Sequence, residues 1–422
     1  MDLLGRVRNE MAFEGNVWKS YAYRFLMQLQ LWWPIWVIYL QQDRGLSLTQ
    51  ITALDAPFLL VVILAEVPTG AVADRFGRKT SLVLGSLMFA LAVYIFGIAD
   101  NYPVILLSYT AWGLAQTFQS GADGALLYDS LKAIGREDDF QRINGRLWAI
   151  TSLSVLIAIL IGAPIAEATS LSFPVILSAG IALLAIPVAV SMHEPRHAQN
   201  EDAEPYLQMV RRGVGEAWRK PALRYVIIFS GFVFGVTFAP LIFLQPFLRE
   251  HDVGIGDLGL WQAPVRAAGI VSALLAYRFV ARAGQRVAFL AMPLALAACY
   301  FFLSGVDAAW AFAAFLPVGL VAGMQNTVLT TYVNRRIPSE RRATMLSVQS
   351  VAGSIFLAVM EPLGGVIADT LGLQPLFLIF AAITIVVAPA LLLLWNRAEA
   401  AELAEERLAI DTAAERGAVA VS

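Results

Sequence analysis

The sequence is poor in the residues that carry chemistry in soluble enzymes. Its 422 residues include one cysteine, Cys299, and three histidines, His193, His197 and His251. A single cysteine cannot close a disulfide within the chain. The histidines all fall in connecting segments, so no protein-built metal site is expected. No nucleophile, base and orienting group can be assembled from this set, which argues against an enzyme. Charge is also scarce, at 15% of residues, and the net charge is −2. Without a basic excess the chain is not drawn to nucleic acid. The phosphate loop G-x-x-x-x-G-K-S/T is missing, so ATP is not the expected energy source and no cofactor is expected. The opening stretch MDLLGRVRNEMAFEG lacks a short apolar core with a small-residue cleavage site, so no removable signal peptide is expected.

Hydrophobic residues, by contrast, make up 58% of the chain, far more than a soluble protein of this length carries, and lipid is the implied solvent. A bilayer core about 30 Å thick needs roughly 20 apolar residues of helix. Runs without Asp, Glu, Lys or Arg occupy 25–42, 80–99, 101–122, 147–166, 168–193, 225–248, 287–306, 308–334, 343–360 and 370–396. Two further apolar stretches, 48–72 and 256–281, are interrupted by Asp55 and Glu66 and by Arg266. The expectation is an all-α membrane protein of twelve transmembrane helices. Basic residues test that count, because Lys and Arg accumulate in short cytoplasmic loops. With both termini inside, 25 of the 30 fall inside and two, Arg44 and Arg249, outside, while Lys19, Arg24 and Arg266 lie within helices. The expected setting is the inner membrane, multi-pass, with both termini cytoplasmic.

The chain also repeats itself. A shift of 207 residues places Ala56 and Pro57 on Ala263 and Pro264, Arg75 on Arg282, Gly77 on Gly284, Lys79 on Arg286 and Asp100 on Asp307. Several matches in one register, close to half the chain length, predict two six-helix bundles of common design. Their expected limits are 1–193 and 222–396, joined by a cytoplasmic linker, 194–221, and followed by a cytoplasmic tail, 397–422. Within the linker, YLQMVRRGVGEAWRK alternates apolar and basic residues at roughly helical spacing, as in a helix lying on the membrane surface, although a plain solvated spacer fits too. The tail is either a short helix or disordered, and no function is assigned to it.

The strongest motif is GAVADRFGRK, Gly70 to Lys79, between the second and third spans. Gly70 and Gly77 permit close backbone approach and a tight turn, and Asp74 can accept bonds from a helix N-terminus. Arg75, Arg78 and Lys79 hold the loop inside and can pair with acids. This stretch resembles the signature loop of the major facilitator superfamily, with every defining position present. The resemblance implies a secondary transporter of a small solute, in which the loop latches the two bundles in the outward-facing state. Asp129, in LLYDSLK, resembles the acidic partner of such a loop. In the second half Tyr277 replaces the first glycine and Ala281 the aspartate, which puts a symmetric latch in doubt. The stretch IPSERRAT, Ile337 to Thr344, also looks like the corresponding loop of many members. In the family's arrangement, spans 1, 4, 7 and 10 line a central cavity.

Helical spacing picks out the faces of those spans that would meet the solute. Trp112, Gln116, Gln119 and Asp123 share a sector about 60° wide on the fourth span, and Tyr21, Arg24, Gln28 and Trp32 one of about 80° on the first. Gln325 and Asn326 offer a weaker polar counterpart on the tenth. Polar side chains at such depth also serve as glue between helices, but an ionisable residue there is a functional candidate. Arg24 and Asp123 lie at matching depths and are expected to pair. Asp55, Asp123 and Glu361 are the carboxyls available to carry a proton. Pro34, Pro240 and Pro317 each remove a backbone hydrogen bond within a cavity span. GAPIAE, Gly162 to Glu167, only partly resembles the glycine-rich element of the family's proton antiporters. Aromatic residues near the cavity spans lean toward an amphipathic solute. The expected function is proton-coupled export by alternating access, acting as a monomer in the lipid bilayer. Proton-coupled or facilitative uptake, and lipid translocation, remain as alternatives.

Overall fold

A computed structural model describes residues 3–195, 206–336 and 342–419, and among these every regular element is helical. Helices are what a chain in lipid must form, because each backbone N–H and C=O has to be satisfied within the segment. The N-terminal half runs α1 (Leu3–Gln28), α2 (Trp36–Gln42), α3 (Leu48–Thr52), α4 (Asp55–Phe76), α5 (Arg78–Ile98), α6 (Tyr102–Ser120), α7 (Ala122–Ala133), α8 (Phe140–Ala168) and α9 (Phe173–Ser191). A connecting helix, α10 (Tyr206–Arg219), leads to α11 (Pro221–Phe238), α12 (Leu244–Glu250), α13 (Leu258–Ala283), α14 (Gln285–Gly305), α15 (Phe315–Arg336), α16 (Arg342–Leu371) and α17 (Leu373–Val419).

Among the described residues, ten helical segments are long and apolar enough to cross a bilayer. Ten of the twelve expected spans therefore stand as apolar helices. The remaining two, the first and the fourth, are helical but polar and interrupted. The first stops at Gln28 and resumes at Trp36, and the fourth is offset at Gly121 between α6 and α7. These are the two spans that carry the polar stripes.

Two of the three expected proline breaks are present. Pro34 lies in the gap between α1 and α2, and Pro240 lies in a 3-10 turn between α11 and α12. Pro317 does not interrupt a helix. It sits in the first turn of α15, where its missing N–H would have had no partner in any case. The linker does contain a helix, and α10 lies against α16: a Cβ on Gly213 would come 2.5 Å from the Thr344 methyl group. The tail continues α17 as helix. Of IPSERRAT, residues 337–341 lie outside the described residues.

Where helices meet closely, small residues make the contact, as expected when packing rather than hydrophobic expulsion holds helices together. A Cβ on Gly319 would stand 2.3 Å from the Val265 carbonyl, and one on Gly323 would stand 1.9 Å from the Gly269 carbonyl. The α13–α15 pair is thereby drawn together.

Candidate functional site

The break in the first span is built jointly by both halves of the chain. Pro34 has no N–H, and its ring obstructs the preceding turn, so nearby backbone groups need partners from elsewhere. Gln245 of α12 supplies them. Its Oε1 accepts the Val37 N–H at 3.1 Å and its Nε2 donates to the Trp33 carbonyl at 2.9 Å. Those are the two groups that a continuous helix would join to each other, so the glutamine amide is inserted into the ladder. Gln262 of α13 donates to the Pro34 carbonyl at 2.8 Å.

Beside this break lies a cavity of about 600 Å³. Its aromatic walls come from Trp33, Trp36, Phe58, Tyr109 and Trp112 of the first half and from Phe234 and Phe238 of the second. The polar groups on it are Gln28, Gln30, Gln116 and Gln119 on one side and Gln245 and Gln262 on the other. Three charged residues complete the lining: Asp55 on α4, Glu361 on α16 and Arg266 on α13.

Asp55 and Glu361 stand on opposite halves and approach each other on the cavity wall. Ionised carboxylates only accept hydrogen bonds, so two facing carboxyls bond to each other only when one of them carries a proton. Tyr109 donates its hydroxyl to Asp55 Oδ1 at 2.7 Å. Glu361 is 5% exposed, and its Oε2 is buried without a donor among the described residues.

The expected stripes divide between this cavity and its surroundings. Gln28, Trp112, Gln116 and Gln119 line it. Trp32 lies behind the wall, stacked on Trp33 with centroids 5.5 Å apart and edge-on to Trp112 at 5.1 Å. Arg24 and Asp123 form the expected ion pair toward the face of the termini, outside the cavity lining, and Asp123 also accepts the Gly124 N–H at 2.6 Å. Tyr21 packs against the Leu127, Leu131, Ile143 and Leu147 cluster instead. The tenth span contributes nothing to the central cavity among the described residues. Gln325 lines a neighbouring cavity of about 630 Å³ that shares Phe234 and Phe238, and it accepts a bond from Thr237 at 3.3 Å. The side chain of Asn326 lies outside the described set. Spans 2, 8 and 11 line the central cavity through α4, α13 and α16, while α15 packs closely on α13 through Gly319 and Gly323.

Several lining residues were not singled out from sequence: Tyr109, Gln30, Gln245, Gln262 and Arg266. The repeat held a usable signal for two of them. Asp55 and Leu59 align with Gln262 and Arg266 under the same 207-residue shift, and all four positions line the cavity.

Contacts between the halves seal the face away from the termini. Asp369 of α16 accepts the Leu48 and Thr49 N–H groups at 3.0 and 2.7 Å, together with the Thr49 hydroxyl. Just below, a Cβ on Gly365 would fall 2.2 Å from Thr52 Oγ1, and one on Gly259 would fall 2.1 Å from the Ile159 carbonyl. With that face closed, the cavity is approached from the side of the termini.

On the side of the termini, the GAVADRFGRK loop turns at Gly77, whose φ of +96° suits a residue without Cβ. Arg78 pairs with Asp129 and donates to the Ala125 carbonyl at 2.6 Å. The start of α5 is capped by an acid not anticipated from sequence, Glu194, which accepts the N–H groups of Arg78 at 2.6 Å and Lys79 at 2.9 Å. Beside it, burial and then Lys19 and Lys79 hold the His193 imidazole below its usual pKa. Gly70, Asp74 and Arg75 are exposed, and Arg75 lies over the Phe76 ring at 5.5 Å. The loop's described hydrogen bonds and ion pair run to Ala125 and Asp129 of the first half and to Glu194 at the start of the linker.

The sequence profile described as Major Facilitator Superfamily matches residues 25–360. The chain belongs to that superfamily. Among its relatives is an uncharacterized MFS-type transporter, YxaM, of Bacillus subtilis, 22% identical over 374 residues, covering 84% of this chain and 89% of the relative. Multidrug resistance protein 1 of the same organism is 23% identical over 365 residues, covering 85% and 90%. Among solved structures, the nucleoside transporter NupG superposes with a TM-score of 0.76 at 13% identity, covering 89% of this chain and 99% of that one. A bacterial homolog of the human lysosomal transporter Spinster, solved in an inward-facing, unoccupied conformation, gives 0.68 at 15% identity, covering 94% and 98%. These likenesses establish the superfamily fold and a multi-pass membrane protein.

Proposed function

We propose that this chain is a secondary transporter that exchanges protons for a small amphipathic solute, exporting the solute across the inner membrane with both termini cytoplasmic. The observation that carries this reading is the approach of Asp55 and Glu361, one from each half, on the wall of the cavity, a pair to which we assign a shared proton. The bonding proton ties α4 to α16 just below the seal made by Leu48, Thr49 and Asp369. Loss of that proton leaves two facing carboxylates and no bond, and their repulsion favours parting of the halves. A proton alone then suffices to hold the far face closed. Exchange requires this property, since the protonated carrier must return without solute. A symporter needs the opposite, a protonated carrier that waits for its cargo. Two of the sequence relatives are named as a multidrug resistance protein and a quinolone resistance protein, which supports export.

The mouth of the cavity carries the Arg24–Asp123 pair, which we assign to solute entry. A solute competing for Arg24 frees Asp123 to accept the proton that the Asp55–Glu361 pair gives up and to pass it out through the same mouth. The test uses purified protein in acid-loaded liposomes containing a pH-sensitive dye, challenged with a panel of aromatic amphipathic solutes. Exchange predicts that a transported solute added outside alkalinises the lumen. Acidification of the lumen by added solute would establish uptake with protons instead.

A further inference from the structure

Among the described residues, Arg266 is the one cavity charge that exchange does not use. It sits on α13 one turn after Gln262, as Leu59 follows Asp55 on α4, so the repeat directs both pairs of positions at the same cavity. The side chain is exposed on the cavity lining, and among the described residues it makes no ion pair and no hydrogen bond. Its guanidinium carbon lies 5.9 Å from the centre of the Trp33 ring. An arginine stays charged, and a charge at this depth is by default a functional group awaiting its partner. A cation–π contact at this distance leaves the guanidinium N–H edge free, and that edge matches the two oxygens of a planar oxyanion.

Opposite charge is available on the same cavity. When the Asp55–Glu361 pair gives up its proton, the carboxyls lose the positive charge that held them together. A cationic group on the solute can take the proton's place, with Glu361 Oε2 still lacking a donor. The cavity that holds the carboxyls and Arg266 has largely aromatic walls, and its volume of about 600 Å³ falls within the range of sites for drug-sized molecules.

We infer that the solute is a zwitterionic amphipath, with a cationic group that replaces the proton on the Asp55–Glu361 pair, an aromatic or apolar body, and an oxyanion held by Arg266. This rests on the proton exchange proposed above. The cation restores the charge that the proton supplied, and the oxyanion neutralises the arginine that the protein leaves unpaired. A lone cation leaves Arg266 unmatched, and a lone anion meets two unprotonated carboxylates.

Three probes on one ring separate these cases: naphthylalanine, which is zwitterionic, naphthylethylamine and naphthylpropionate. Their binding to the purified full chain is measured by calorimetry for wild type, Arg266→Gln, Arg266→Lys and the double variant Asp55→Asn, Glu361→Gln. Wild type is expected to bind naphthylalanine at least about tenfold tighter than either single-charge probe. In Arg266→Gln that preference over the amine collapses, and Arg266→Lys restores part of it. Melting temperature identifies any variant that fails to fold, and Arg266→Lys then carries the comparison alone. Equal binding of amine and amino acid by wild type, an unchanged preference in Arg266→Gln, or binding of none of the three overturns the inference. Amine binding that persists undiminished in the double carboxyl variant overturns the exchange site itself, so the two failures are distinguishable.

Discussion

The side-chain amide of Gln245 stands between the Trp33 carbonyl and the Val37 N–H, replacing a main-chain hydrogen bond of the first span with one made by the other half of the chain. Parting of the halves on the far face would withdraw it. Gln245→Ala leaves a buried donor and a buried acceptor unpaired, at about 1–3 kcal/mol each, but only while the far face is closed. We expect this variant to shift toward the open form. Thr52 is fully buried in that seal, so Thr52→Cys in a Cys299→Ala background should react faster with a membrane-impermeant maleimide when Gln245 is alanine. Equal labelling rates would contradict the role given to Gln245.

Gly259 and Gly365 press on the opposite half at distances a Cβ could not occupy, 2.1 Å from the Ile159 carbonyl and 2.2 Å from Thr52 Oγ1. Either alanine variant should hold the far face apart while each half stays folded. The expected result is faster Thr52→Cys labelling with a small change in melting temperature. A large loss of folded protein would instead mean that these contacts build the fold.

The signature loop separates into a structural part and a part that is exposed in this conformation. Glu194→Ala removes the cap of α5 and should lower stability by about 0.5–2 kcal/mol. Asp74 is exposed, so Asp74→Asn should leave the melting temperature unchanged while slowing transport, if the loop engages the second half only in the outward-facing state. Full transport in Asp74→Asn would reduce the motif to a topology signal.

Much of this was legible in the sequence. The spans follow from runs of apolar residues, and the Arg24–Asp123 and Arg78–Asp129 pairs follow from helical spacing and family resemblance. The cavity walls were only half legible. Periodicity within one span finds a polar face but not what it faces, so Tyr21 and Trp32 shared the stripe of Gln28 yet packed elsewhere. Gln245 and Gln262 could not be found in this way. Their roles depend on backbone groups freed by Pro34 more than 200 positions away, and no local pattern marks such a contact. Arg266 was visible as a charge interrupting a span, and the repeat could have placed it opposite Asp55.

Arg24 and Asp123 remain to be divided between bracing and binding. Neutralising one partner of a partly buried pair leaves the other charge uncompensated, so a brace predicts that Arg24→Gln and Asp123→Asn each lose folded protein. Participation in transport predicts stable variants that couple poorly. Yield and melting temperature, measured beside liposome transport in both variants and in the Arg24→Asp, Asp123→Arg exchange, check this. Normal proton-coupled transport in the two neutral variants would exclude a coupling role.

The proton proposed to be shared by Asp55 and Glu361 closes the far face in this reading. Spin labels at Asp43→Cys and Thr370→Cys, on exposed ends of α2 and α16 in a Cys299→Ala background, report the distance across that face by double electron–electron resonance. Besides the two carboxyls, the ionisable groups at the cavity are Tyr109, bonded to Asp55, and Arg266, which stays charged throughout. The prediction is a population at longer distance that grows as pH rises in the wild type. In the Asp55→Asn, Glu361→Gln variant the distribution should not change with pH. A pH-independent distance in the wild type, or the same pH dependence in the double variant, would contradict the account.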